Sequence, residues 1–234
     1  MQTELKSNYW SAPKIWDGET CAILAGGPSL SKSQVDAVRA SGVRCIAINN
    51  SYLLAPWADL LYFCDLRWWE WHKGSIEFKM FIDRAKYGEA IICTLENTSL
   101  SESNAAIKSL QNSGRNGIEC DPRKLRTGSN SGYQAINLSV HLGIKRILLL
   151  GYDMRTVNGI SHWHSGHPVK TPESVYSSLM MPAYNDAVKP LSARGVTVIN
   201  CTPDSALKVF PQMTLSEALN ETSRRNNDSS AASL

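Results

Sequence analysis

Three of the chain's five histidines fall within six residues, in Ser161-His162-Trp163-His164-Ser165-Gly166-His167. An unperturbed imidazole titrates near pH 6.5, so a loop histidine beside an anionic ligand can take or deliver a proton at working pH. The same three side chains with one water also have the make-up of a catalytic zinc site. A solvated polar loop is the plainest alternative. Around this cluster, residues 154–172 hold Arg155, Gly159, Gly166 and Pro168 with no helical or strand period. A loop of that length in a compact domain usually has a function, here a lid over about residues 154–180.

A second group of residues suits an anion. Ala22-Ile23-Leu24-Ala25 runs into Gly26-Gly27-Pro28-Ser29-Leu30 and then a helix start. Glycines admit backbone N–H groups to an anionic ligand, and a helix N-terminus adds donors and a favourable dipole, so a phosphate or diphosphate fits. A tight turn with no ligand fits too. The stretch lacks the spacing of G-x-G-x-x-G and the lysine of a P-loop, which argues against NAD and kinase-type ATP sites.

Asn49 and Asn50, in Ile48-Asn49-Asn50-Ser51-Tyr52, pair two amides that can read a ribose or a base, though asparagines are also ordinary turn formers. Asp65 follows Leu60–Cys64 and can accept from a hydroxyl, or merely cap the segment Leu66-Arg67-Trp68-Trp69. Thr127-Gly128-Ser129-Asn130-Ser131-Gly132 gathers donors at another helix start, and Gly151-Tyr152-Asp153 follows the next apolar run. Two glycine-bearing helix starts at one sheet edge would form a nucleotide site across a topological switch point.

These residues need elements to position them. Apolar runs at Thr20–Ala25, Val43–Asn49, Asp59–Cys64, Ala90–Leu95, Lys145–Leu150 and Val196–Cys201 alternate with helix-compatible segments, which predicts an α/β fold with a mostly parallel sheet covered on both faces. Ser31-Lys32-Ser33-Gln34 has capping-box spacing, with Val35, Val38 and Ala40 as the inward stripe and Gly42 as the stop. Ala135, Leu138 and Leu142 give the helix after Gly132 its apolar face, and Gly143 ends it. Pro172 and Pro182 suit helix starts, and Pro190 predicts a break in the segment before the last strand. One Rossmann-like domain over 19–215 is expected, after an extension over 1–18 and before a helix end and disordered tail over 216–234, with disorder from Glu221.

Composition narrows the class. Twenty-four Lys+Arg against 21 Asp+Glu leave a net charge of +3 on 234 residues that are 43% hydrophobic and 19% charged. That balance excludes wholesale disorder, and no basic run signals nucleic-acid binding. No apolar run approaches the roughly 18 residues of a membrane span. Without the charged-then-apolar order of a signal peptide in Met1–Lys6, a cytoplasmic location is expected. The six cysteines show no C-x-x-C pair and read as reduced thiols, most of them in apolar runs. Composition leaves a homo-oligomer open.

With these motifs in order over residues 20–215, the chain resembles the MptE-like superfamily, which joins hydroxymethylpterin pyrophosphokinase-like proteins to bacterial lipooligosaccharide sialyltransferases. Within it the chain is most similar to bacteriophage-encoded members. The matching stretches are Ala25–Leu30, Ile48–Tyr52, Asn130–Gly132 with its helix, Leu149–Asp153, and Gly166-His167. The resemblance implies a glycosyltransferase taking a CMP- or other nucleotide-sugar donor and a hydroxyl acceptor, with no required cofactor. It places nucleotide contacts on Gly26, Gly27, Asn49, Ser131 and Gly132, and a general base on His167. Two departures stand out. Gly26 replaces an asparagine of those enzymes, and Arg155 stands near where they set a tyrosine against the leaving phosphate. The alternatives are a Mg-ATP pyrophosphokinase-like phosphotransferase, with Mg²⁺ on Asp65 and Asp153, and a non-catalytic nucleotide-binding phage module.

Overall fold

A computed structural model of the chain describes residues 9–166 and 171–231, the side chains of 226–231 excepted. The strands are β1 (Thr20–Leu24), β2 (Arg44–Ile48), β3 (Leu60–Tyr62), β4 (Ile91–Leu95), β5 (Ile107–Asn112), β6 (Lys124–Leu125), β7 (Arg146–Leu150) and β8 (Thr197–Asn200). Every apolar run read from the sequence is among them. The two that escaped, β5 and β6, have reasons to: β5 interleaves Lys108 and Gln111 with its buried residues, and β6 has two residues. Both lie towards one edge of the sheet, where less apolar cover is needed.

All eight strands are parallel in the order β6-β5-β4-β3-β2-β1-β7-β8. The chain steps outward from β1 to β6 and then returns to place β7 on the other side of β1. Strand order therefore reverses between β1 and β7, and such a reversal opens a crevice at the strands' carboxyl ends.

Helices cover both faces. Val35 and Val38 of α1 (Lys32–Ser41), Trp68 of α2 (Leu66–His72), Phe78, Phe81 and Ile82 of α3 (Ile76–Lys86), and Leu100 of α4 (Thr98–Ser103) pack with Ala22 and Leu24 of β1. Ala135, Ile136 and Leu138 of α5 (Ser131–His141) pack on the other face with Cys21 and Ile23. The period-2 alternation of β1 thus feeds two cores. The capping box of α1 is present, with Ser31 accepting from the Gln34 N–H and Gln34 accepting from the Ser31 N–H, and Gly42 closes the helix at φ +70°. Ala40 is exposed, however, and Ala37 packs in its place. Ala37 stands about 100° round the helix from Val38, at the border of the buried face, whereas Ala40 stands about 160° from it and has turned off that face.

From Glu173 to Ala193 the chain is helical throughout, as α6 (Glu173–Val175), a π turn (Tyr176–Met180) and α7 (Met181–Ala193). The break expected at Pro190 is absent there, since α7 continues through it. The irregularity falls just before Pro182, where the wider turn gives the proline ring room and releases a carbonyl that no proline N–H could satisfy.

The last element, α8 (Leu215–Ala231), extends ten residues beyond the expected onset of disorder at Glu221. Thr214 and Glu217 cap its start reciprocally. Its buried stripe is narrow, Leu215, Ala218 and Thr222, which is why the segment reads as too polar to fold. Arg146 of β7, buried under the helix, holds Glu221 at 2.8 Å. Among the described residues no helix is long and apolar enough to cross a membrane.

Candidate functional site at the strand-order reversal

A cleft of about 370 Å³ lies at the carboxyl ends of β1, β2, β3 and β7. Its walls include Gly26 and Gly27 after β1, Asn49 and Asn50 after β2, Asp65 after β3, Asn130, Ser131 and Gly132 at the start of α5, and Gly151 and Asp153 after β7. Arg155, His162 and His164 close it from the lid side. The topology thus brings together residues that are up to 155 positions apart in sequence, from Ala25 to Met180. Pro28 and Ser29 are not on the wall. His167 lies outside the described residues.

The β1 loop is arranged differently from a vacant phosphate cradle. Gly27 N–H donates to Gly151 O at 2.9 Å. Ser29 donates its hydroxyl to Asp153 Oδ2 at 2.9 Å and its N–H to the same oxygen at 3.4 Å. A Cβ on Gly27 would lie 2.0 Å from that Oδ2 and 2.3 Å from Gly151 O, so the missing side chain lets the β1 and β7 loops touch. Among the described residues a Cβ on Gly26 would meet only His162 Cδ2, at 3.3 Å, and Gly26 faces the lid.

Asp153 is 2% exposed, and its Oδ1 has no hydrogen-bond partner among the described residues. Burial raises its carboxyl above the ordinary range, against the opposing pull of the Ser29 bonds and the Arg155 charge. A carboxyl so placed is a candidate proton acceptor or donor. Asn49 Oδ1 and Arg155 Nε are also buried without partners among the described residues, which leaves the cleft wall two spare acceptors and one spare donor within that set. Buried polar atoms of this kind are costly unless something satisfies them.

Three non-glycine residues on the wall, Asn49, Ser129 and Met154, have φ of +49°, +60° and +51°. Left-handed backbone costs about 1–3 kcal/mol at such residues and tends to gather at functional sites.

At the start of α5, Asn130 accepts from the Tyr133 N–H at 2.9 Å and from the Tyr184 hydroxyl at 2.8 Å, so its oxygen organises the helix start. The N–H groups of Ser131 and Gly132, the first two of the helix, have no preceding turn to bond. Cys64, at 3.4 Å from Ser131 Oγ, has its thiol raised by burial and is a poor nucleophile. Asp65 caps α2 by accepting from Arg67 N at 2.8 Å and pairs with the Arg67 guanidinium at 3.1 Å.

The lid has more structure than its sequence suggested. Val157 and Ile160 pair across Asn158 and Gly159, which have φ of +51° and +73°. Asn-Gly is the signature of a tight two-residue hairpin turn, and it was the available signal. Trp163 N–H donates to Gly26 O at 3.1 Å and its ring packs on the α1–α3 core. Asn50 Nδ2 contacts His164 Nδ1 at 3.3 Å, and Ser161 Oγ contacts His162 Nδ1 at 3.1 Å. Three aromatic side chains of the wall, Trp68, Trp71 and Tyr176, went unread as site residues in the sequence, being spread over a helix and a π turn. His72 bonds Tyr52 and His141 bonds Lys124 O, both structural contacts.

No family model, curated protein or solved structure matches this chain. Four of the six cysteines are buried, Cys64 is partly buried and Cys120 is exposed, and all are free. Among the described residues no three His, Cys, Asp or Glu side chains converge as metal ligands.

Proposed function

We propose that the chain is a nucleotide-dependent transferase that moves a glycosyl group from a nucleotide sugar to a hydroxyl acceptor, acting in the cytoplasm. What supports this reading is one cleft at the β1/β7 reversal that carries amides, a helix start, a spare arginine donor and titratable lid side chains together. Open parallel sheets bind nucleotides at this position. The Ser131 and Gly132 N–H groups and Arg155 suit a departing phosphate. Asn49 Oδ1 and Asp153 Oδ1, as acceptors, suit ligand hydroxyl or amino groups. In this reaction the acceptor oxygen bonds to the anomeric carbon as the carbon–phosphate oxygen bond breaks, the electron pair leaves with the phosphate, and a base takes the acceptor's proton. His167 is the base in this reading, with Asp153 as second candidate.

The phosphotransferase reading has Asp65 and Asp153 on the same cleft in its favour. Asp65 is engaged by Arg67 and by the α2 start, and Asp153 Oδ2 by Ser29, which makes them a poor Mg²⁺ pair and gives the metal no step here. Thermal shift with CMP, UDP, GDP, ADP and ATP, each with and without Mg²⁺, tests the proposal. A ligand at ~100 times its Kd adds about 2.7 kcal/mol to the folded state. Stabilisation by at least one nucleotide without Mg²⁺, followed by turnover of the matching sugar nucleotide, is the expected result. No shift with any nucleotide sinks it, strict Mg²⁺ dependence with ATP favours the phosphotransferase, and binding without turnover favours a non-catalytic module.

A further inference from the structure

The histidines of the lid are not interchangeable, because one of them is locked by a chain of hydrogen bonds whose direction is fixed at its far end. Trp68 Nε1 lies 2.7 Å from Asn50 Oδ1. An indole N–H only donates, so the Asn50 oxygen must face Trp68 and the Asn50 NH₂ must face the lid. That NH₂ lies 3.3 Å from His164 Nδ1 and can only donate. His164 Nδ1 must therefore accept, and the neutral ring carries its proton on Nε2. Trp68 is held in turn by stacking on Phe63 and His72, with ring centroids 4.9 Å and 4.3 Å away, so the far end of the chain is rigid.

We infer that Trp68 and Asn50 are positioning residues that hold His164 as the Nε2–H tautomer, making it a hydrogen-bond donor to the departing phosphate and not the base that deprotonates the acceptor. The phosphate role rests on the transferase reading; the tautomer does not. A partner that sets which ring nitrogen holds the proton is the usual way a protein assigns a histidine its role. In the transfer step the His164 proton stays on nitrogen and stabilises the charge gathering on the phosphate oxygen, while the acceptor's proton leaves to a separate base. His164 lines the same cleft as Arg155.

Two-bond ¹H–¹⁵N imidazole spectra of the full, ligand-free chain test the assignment. They are recorded above about pH 8, clear of the reference imidazole pKa of about 6.5, with His164→Gln identifying the resonance. The wild type should show the Nε2–H pattern. Asn50→Asp keeps an acceptor for Trp68 but turns a second oxygen to the ring, so His164 should switch to the Nδ1–H pattern. A wild-type Nδ1–H pattern overturns the inference, and so does an unchanged pattern in folded Asn50→Asp. Should that variant fail to fold, the wild-type spectrum decides alone. In a second arm CMP, UMP, GMP and AMP are titrated against the matching nucleosides. A His164 resonance that moves with a nucleotide and not with its nucleoside supports the phosphate role. Nucleotide binding seen by calorimetry with His164 unmoved overturns it. If no nucleotide binds, the transferase reading fails and takes the phosphate role with it, while the tautomer result stands by itself.

Discussion

Ser29 and Asp153, 124 residues apart, are joined through a single carboxylate oxygen that accepts both the serine hydroxyl at 2.9 Å and its N–H at 3.4 Å. The contact ties the loop after β1 to the loop after β7 where strand order reverses. It fills the space beside Gly27 with a carboxylate and leaves the other oxygen, Oδ1, buried and without a partner among the described residues.

Asp153 should therefore reduce stability at neutral pH. Its raised folded-state pKa means that the folded protein holds the proton more tightly than the unfolded chain. The penalty is absent below the unfolded pKa of about 3.9 and is complete above the raised folded value. Asp153→Asn retains an oxygen for Ser29 and removes the charge, so it should be more stable than the wild type at pH 7. Near pH 3 it should gain nothing. Urea unfolding at the two pH values checks this, and an equal gain at both would contradict it.

The two loop glycines should separate cleanly. Gly27→Ala drives a Cβ to within 2.3 Å of the Gly151 carbonyl, a backbone atom that cannot move aside, and should cost about 3 kcal/mol or more. Gly26→Ala presses only on His162 at 3.3 Å and should cost less than about 1 kcal/mol. Thermal melts of the pair decide, and comparable melting temperatures would mean the β1–β7 contact is not as close as described.

Arg155 should distinguish phosphate from nucleoside. Its buried Nε has no partner among the described residues, so in the transferase reading a bound phosphate is a natural one. Arg155→Ala should weaken nucleotide binding by about 1.5–3 kcal/mol, the range of a charge-assisted bond, and leave nucleoside binding within error. Equal losses by calorimetry would place the phosphate elsewhere in the cleft.

Glu221→Ala tests whether α8 is seated beyond its first turns. The change leaves Arg146, whose side chain is 6% exposed, without its carboxylate at 2.8 Å. Since the Glu221 side chain is 42% exposed, the cost should fall below that of a fully buried pair, at roughly 1–3 kcal/mol. A loss under about 0.5 kcal/mol in urea would show that the helix does not depend on this anchor.

The sheet was legible because its interior strands must be covered on both faces, and continuous apolar runs such as Arg146–Leu150, buried throughout, have no other use. A local hydrogen bond made the start of α1 legible as well, Ser31 with Gln34 acting over three residues, whereas α5 begins at Ser131, two residues before the start read from the sequence, because Asn130 caps it through the Tyr133 N–H. The grouping of Asn49, Asp65 and Gly151 could be expected from their positions after strands, since a parallel sheet delivers all such positions to one edge. Pairings across that edge were not legible. That Asp153 reaches Ser29, that Gly27 is bare for the sake of Gly151, and that Trp68 fixes Asn50 against His164 depend on side-chain directions set by packing between distant segments. The helical course of α8 beyond Glu221 was hidden for a related reason. Its composition is polar, and what seats it is an ion pair with a residue 75 positions earlier, a contact that exists only once β7 is in the sheet.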